Sequence, residues 1–392
     1  MADDELSDIL RAMRAFIDDE VIPAEDVLRE GSLASMAAMD RLKDEAKRRG
    51  LWALGHPKEI GGGGLGFMAV THLNEVIGRS FFGQSAVGTW SMQDSIMLNL
   101  YATDEQKEKW LYPLVAGDIR SSIGMTEPEV AGSDPTEMQA TAVLDGDEWV
   151  VNAHKWFTTG ASIAAFTTIL AITEPNEENR HQRFSAIVVP TDTPGYEVVR
   201  TVPTMGSTLG AHCEIRLTDA RVPRENLLGE RGSGFVLAQR RLGPGRIFHC
   251  MRWLGQMQRA FELMCARANE RSIRGSLLSQ KGQIQQMIAE SAADIFSHRA
   301  ATLAAAEAVD RGSDGRVEIS LIKFRGAELL HNVIDRAIQV HGALGVTADT
   351  PLEWMYREAR YARIYDGPDE VHREVVARKL VRNPQSAPWY TL

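Results

Sequence analysis

The feature that most constrains the fold is a change in hydrophobic period that happens twice along the chain. Up to about residue 120, apolar side chains recur at helical spacing: Ile9, Met13, Phe16 and Ile17 form one stripe, and Met39, Leu42 and Ala46 form another. Thr103 followed by Gln106 is a capping-box signal and predicts a helix through Trp110. From about 121 to 225 the pattern becomes that of strands. Residues 141–144 and 148–153 flank Asp145, Gly146 and Asp147, a hairpin signature because an Asp-Gly pair supplies φ > 0. Apolar runs at 168–172 and 184–189, then alternation over 213–217, add further short strands. No helix of useful length interrupts them, which favours a small antiparallel sheet over a parallel, doubly wound one. From about 232 helices return, with core-facing stripes predicted at Ile284, Met287, Ile288 and Ile295 and at Leu330, Val333, Ile334, Ala337 and Ile338. The alanine-rich stretch 300–308 permits close helix packing, and a four-helix bundle is the economical arrangement. The expected class is α+β, mainly α: an N-terminal helical domain over 1–120, a middle antiparallel β domain over 121–231 and a C-terminal four-helix bundle over 232–392.

Composition excludes several functions. A net charge of −10 and a pI near 5.6 argue against nucleic-acid binding, which needs clustered Lys and Arg to neutralise phosphates. Cys213, Cys250 and Cys265 are odd in number and widely spaced, so neither a disulfide framework nor a metal site is indicated. The start of the chain is acidic, unlike a targeting peptide, and the weakly polar run 161–172 is too short for a membrane span. A soluble protein of a reducing compartment, the cytoplasm, is expected. Gly61 to Gly66 formally satisfies G-x-G-x-x-G, but no apolar strand precedes it. The lead-in, 44–54, reads as a helix ended near Gly55, so the glycines read as a flexible loop.

Four landmarks carry the candidate chemistry. Asp366, Gly367 and Pro368, followed by Asp369, Glu370, Val371 and His372, have the composition of a turn between two helices. An apolar approach through Tyr361, Ile364 and Tyr365 suggests that the bend faces a cavity, where Asp366 can act as a base. Met125, Thr126, Glu127 and Pro128, then Gly132 and Ser133, lead through the hairpin to Lys155, Trp156, Phe157 and Thr158. Taken alone these are a loop and a strand end with core aromatics. Gly229 to Phe235 and residues 242–246 read as a loop and helix start; Gln339, Val340, His341, Gly342 and Ala343 read as a glycine-rich helix end. In isolation, His341 reads as a hydrogen-bonded structural residue and Arg271 as half of a solvated ion pair.

Together, in this order, these segments resemble the acyl-CoA dehydrogenase flavoproteins, and most closely their branch with Asp-Gly-Pro-Asp-Glu-Val-His at the catalytic turn. The resemblance implies FAD and an acyl-CoA thioester, with Asp366 taking the α-proton while hydride leaves Cβ for the flavin N5. It implies that Met125, Thr126, Trp156, Phe157 and Thr158 cradle the flavin, with either Trp156 or Phe157 against the ring. Ser133 then contacts both flavin region and substrate, and Gly245, Arg246 and Gly367 line the substrate pocket. An Arg246 beside the carboxylate would keep it ionised. Arg271, with Gln280 nearby, reaches the flavin pyrophosphate of a neighbouring subunit; Gln339, Gly342 and Ala343 hold its adenosine half, which implies a homodimer or homotetramer. Pro368 and Glu370 stand where the family has flavin-contacting Thr and Gln, and Arg274 stands where it usually has Phe. An electron-transfer flavoprotein is the implied oxidant, and fatty acid β-oxidation the implied setting. Two other readings remain open: an oxidase or monooxygenase of the same fold, such as a nitroalkane oxidase, and a helical binding protein that has lost flavin.

Overall fold

The computed structural model describes residues 3–205 and 212–390. Helices open and close the chain around a sheet, as the two changes of period predict. By contacts it divides into two units: a helical one made of Met1–Glu25, Gly66–Gln84 and Gly245–Leu392, and a sheet unit made of Asp26–Leu65 and Ser85–Pro244.

In the sheet unit the strands are β1 (Ser121–Gly124), β2 (Thr141–Asp145), β3 (Glu148–Thr159), β4 (Phe166–Ile172), β5 (Phe184–Pro190), β6 (Tyr196–Thr201), β7 (His212–Pro223) and β8 (Leu227–Leu228). Their order is β6-β7-β3-β2-β4-β5-β8. The sheet is mostly antiparallel, but β1 and β2 both run parallel to β4, which the antiparallel expectation did not include. Gly146, at φ +62°, turns the β2–β3 hairpin. Because successive side chains of a strand point to opposite faces, β4 and β5 serve two cores. Phe166, Leu170, Phe184 and Val188 pack with Leu98, Trp110 and Leu114. Ile169, Ala171, Ile187 and Val189 pack with Trp149, Val151 and Ile215.

The Thr103 capping box forms as predicted, and its Gln106 also donates Nε2 to the main-chain oxygens of Glu225 and Leu227, at 2.6 and 2.9 Å. The lead-in helix stops earlier than expected, at Arg48 (Leu33–Arg48), because Gly50 adopts φ +69°. The glycine run beyond it is folded back rather than loose. Gly63, Gly64 and Leu65 donate to the main-chain oxygens of Ala53, His56 and Leu54, and a Cβ at Gly62 would lie 2.2 Å from the oxygen of His56.

In the helical unit, Met13, Phe16 and Ile17 are buried, as their spacing predicts. The helices Phe67–Ile77 and Gly234–Glu270 approach almost backbone to backbone, since a Cβ at Gly255 would lie 2.2 Å from the oxygen of Glu75. That contact brings Asn74 within reach of Arg252. Arginines add fixed links: buried Arg79 pairs with Asp18 and Glu262, and half-buried Arg259 with buried Glu25, each at 2.7 Å. The helix Arg316–His341 buries Leu330, Val333, Ile334 and Ala337. The other predicted stripe fares differently. Ile284, Met287, Ile288 and Ile295 on the helix Gly282–Asp310 are only half-buried, and Phe296 is 78% exposed. Periodicity marks an apolar face but not what covers it.

Candidate active site

In the sheet unit, β1 ends at Gly124 and delivers Met125 and Thr126. Lys155 of β3, wholly buried, holds that loop by donating Nζ to the oxygen of Met125 (3.0 Å) and to Glu127 Oε1 (2.7 Å). Glu127 also accepts from the main-chain nitrogens of Gln139 and Ala140. A buried ion pair is tolerable only when its remaining donors and acceptors are satisfied, and here Glu127 is. Burial pushes the Lys155 ammonium down to about 8, with Glu127 pulling the other way.

Immediately after Lys155 the strand bulges. Lys155 pairs with Ile215 and Thr158 with Cys213, so Trp156 and Phe157 together oppose Glu214 alone. Phe157 takes φ +50°, a disfavoured conformation for an aromatic residue, and such bulges re-aim side chains beside functional sites. The main-chain nitrogen of Trp156 donates to the oxygen of Thr126 at 3.0 Å, and the two aromatic rings meet edge-on at 4.9 Å. Trp156 is half-buried, and Phe157 is 43% exposed. Trp156 Nε1 and Thr158 Oγ1 are shielded from solvent and have no hydrogen-bond partner among the described residues. An exposed aromatic beside two orphaned polar atoms fits a flat, heteroatom-edged ring such as a flavin, which needs an apolar wall and donors at its edge. Ser133 lies exposed on the loop beyond.

In the helical unit, Asp366 lies between the helices Leu352–Tyr361 and Asp369–Arg382. It adopts φ +55° and is followed by Gly367 at φ +100°. Non-glycine residues held in the left-handed region cost free energy and persist where the surroundings over-determine them. Here they do. Arg246 Nε donates to the main-chain oxygen of Asp366 at 2.9 Å, and His372 Nε2 donates to the same oxygen at 3.1 Å. Lys323 Nζ donates to the oxygens of Ala362 (2.8 Å) and Gly367 (2.6 Å). A Cβ at Gly367 would lie 2.8 Å from His372 Nε2, so only glycine fits the bend.

The carboxylate itself is approached by His249, whose Nε2 is 3.1 Å from Oδ2. Arg246, expected beside the carboxylate, bonds the main-chain oxygen of the same residue, Asp366. Burial lowers the Arg246 pKa while Asp366 pulls it up. Burial likewise pushes Lys323 down to about 8, against the pull of Asp369 and Asp366.

The other sequence-marked residues of this unit stand apart from the turn's hydrogen bonds. Gly245 is buried beside Arg246; Pro368 caps the helix Asp369–Arg382; Glu370 is exposed, 3.7 Å from Arg373. Arg271, Gln280, Gln339, Gly342 and Ala343 are all exposed. Arg274 and Gly275, at φ +51° and +76°, form the turn of a small hairpin, Ser272–Ile273 with Ser276–Leu277. His341 is buried with Nδ1 bonded to the oxygen of Ala337, the structural role that its isolated reading predicts. Sequence reasoning gave no role to Lys155 or Glu127 and did not single out Lys323 or His249. The paired glutamate and lysine lie in segments that it did single out, but nothing in their spacing marks them as partners.

Profiles of the N-terminal, middle and C-terminal domains of acyl-CoA dehydrogenase match residues 3–118, 122–220 and 232–381. The chain belongs to the acyl-CoA dehydrogenase family. It is 41% identical over 358 residues to FadE2 of Mycobacterium tuberculosis, described as a probable acyl-CoA dehydrogenase, covering 89% of this chain and 86% of that one. It is 38% identical over 389 residues to mouse acyl-CoA dehydrogenase family member 10, covering 94% of this chain but 36% of that much longer protein. The crystal structure of an acyl-CoA dehydrogenase from Geobacillus kaustophilus superposes with a TM-score of 0.86 at 28% identity, covering 97% and 98% of the two chains. As a member of the acyl-CoA dehydrogenases the protein is an oxidoreductase with FAD as cofactor. No described helix is long and apolar enough to cross a membrane.

Proposed function

We propose that the protein dehydrogenates an acyl-CoA thioester between Cα and Cβ, giving a 2-enoyl-CoA, with Asp366 as the base. The observation that carries this reading is the Asp366 turn: a strained backbone fastened by three cationic or imidazole donors, with an acid side chain 20% exposed. Bound FAD supplies the acceptor for the hydride that leaves Cβ. Asp366 takes the α-proton on its carboxylate. The left-handed backbone aims that side chain, and Arg246, His372 and Lys323 hold the aim by fixing the main-chain oxygens of Ala362, Asp366 and Gly367. Cationic groups around the turn also favour the ionised acid needed to begin the reaction.

In this reading Met125, Trp156 and Phe157 wall the flavin, Thr126 and Thr158 serve its polar edge, and Ser133, Gly245, Arg246 and Gly367 meet substrate. The exposed Arg271, Gln280, Gln339, Gly342 and Ala343 serve the cofactor of a second copy, with Pro368 and Glu370 in flavin-contacting positions. The half-buried stripe of Ile284, Met287, Ile288 and Ile295, beside exposed Phe296, supports a homodimer or homotetramer; the cytoplasm is the proposed compartment. Electrons pass to an electron-transfer flavoprotein.

The test is Asp366→Asn. The variant is expected to retain flavin but to lose reduction by a panel of acyl-CoAs under anaerobic conditions, by about 10²- to 10⁴-fold. Reduction at the native rate removes the base from this assignment. Peroxide formed at turnover rates in air points instead to an oxidase.

A further inference from the structure

Behind Asp366 lies a chain of polar contacts in which each group leaves the next no choice of role. Asn74 Nδ2 donates to the oxygen of Val70 at 2.8 Å, which turns Asn74 Oδ1 toward Arg252 Nη1, 2.6 Å away. Arg252 Nη2 then lies 2.9 Å from His249 Nδ1. A guanidinium can only donate, so Nδ1 must accept and the imidazole carries its proton on Nε2. That nitrogen is the one 3.1 Å from Asp366 Oδ2, and Oδ2 is shut off from solvent. The contact is close enough for a hydrogen bond but not aligned for a strong one, as is common at catalytic groups before substrate binds.

Resting on the assignment of Asp366 as base, we propose that His249 is a positioning residue for the reaction. Arg252 and Asn74 lock it as the neutral Nε2–H tautomer, and it donates that hydrogen to Oδ2 of the catalytic carboxylate. The donated bond holds the side chain against rotation and stabilises the ionised acid over the protonated one. The charged groups around His249 agree with a neutral ring. Arg252 and Lys323 oppose a second proton, burial opposes it more strongly, and Asp366 alone favours it. The rings of Trp253 and Tyr365 close the remaining sides; Trp253 Nε1 is itself bonded to the Tyr365 hydroxyl at 2.8 Å. The helix contact at Gly255 keeps Asn74 and Arg252 in register.

Two measurements on the FAD-loaded enzyme test this. The first is anaerobic flavin reduction across pH with whichever of butanoyl-, isobutanoyl- and octanoyl-CoA reduces the native enzyme fastest. His249→Ala is expected to slow reduction about 10- to 100-fold with little change in the substrate concentration at half-saturation, as losses of orienting partners do. Its acid limb should move up by roughly one pH unit as the carboxylate loses a donor. His249→Gln, which keeps a donor near the Nε2 position, should restore most of the rate and the limb. The second measurement is independent of turnover: long-range ¹⁵N–¹H correlation of histidine-labelled enzyme, assigned with His249→Gln, should show the Nε2-protonated neutral ring. A His249→Ala enzyme with native rate and acid limb, or an Nδ1-protonated ring, overturns the inference while leaving Asp366 as base. Native reduction by Asp366→Asn overturns both.

Discussion

The bulge at Phe157 and the turn at Asp366 solve one problem in two ways. Each forces a non-glycine residue to positive φ, at +50° and +55°, and each has close by in the chain or the fold a buried lysine bonded to main-chain oxygen. The lysines differ in how their charge is met. Lys155 has a buried carboxylate in contact, Glu127 at 2.7 Å, so its charge is answered where it stands. Lys323 bonds two carbonyls, and the acids that oppose its deprotonation are Asp369 and Asp366 at longer range. The first arrangement braces a loop with little field left over. The second braces a turn while leaving positive potential for the acid at its tip.

The contrast can be broken by substitution. Lys155→Met should have the largest effect, because it strands Glu127 as an uncompensated buried charge; about 3–5 kcal/mol of unfolding free energy should be lost in urea titration. The double variant Lys155→Met with Glu127→Gln should recover part of that loss, and failure to recover would mean that the pair is not the brace. Acid should weaken the Asp366 turn next. Burial, then Arg246 and Lys323, push His372 down to about 4, whereas unfolded it titrates near 6.5. The unfolded chain therefore binds the extra proton between those values. Its contribution is complete above pH 6.5 and is lost as pH falls through 4, amounting to about 3 kcal/mol. Stability measured against pH should lose that slope in His372→Gln.

Lys323→Met leaves the oxygens of Ala362 and Gly367 without their donor, a cost of about 2 kcal/mol that is expected to be smaller than that of Lys155→Met. Equal costs would erase the distinction between the two lysines. Smallest of all, Asp366→Gly relieves the left-handed strain and should raise stability by about 0.5 kcal/mol while removing activity. Phe157→Gly should gain a similar amount and lower FAD retention.

Much of this was legible in the chain. The capping pair Thr103 and Gln106, the Gly146 hairpin and the stripe at Leu330, Val333 and Ile334 are local signals, and local signals survive folding because they depend on neighbours in sequence. The Asp366 turn was legible for the same reason. The stripe from Ile284 to Ile295 shows where such reading stops: its period is helical, yet those side chains stay half-buried. Buried charges were the larger omission. Lys155, Lys323 and Glu127 have the composition of surface residues, and only burial gives them a different role.

What the sequence by itself determined is the succession of helix, sheet and helix, the positions of the turns, and an acid at a bend. Those follow from side-chain period and backbone preference within a few residues. The tertiary structure decided which early helices join the C-terminal helices and which join the sheet, and which distant groups meet: Asn74 with Arg252, His249 with Asp366, Lys155 with Glu127. Such pairings depend on how two backbones approach, as at Gly255, and no spacing along a chain encodes the tautomer of a ring that a neighbouring helix supplies with its donor.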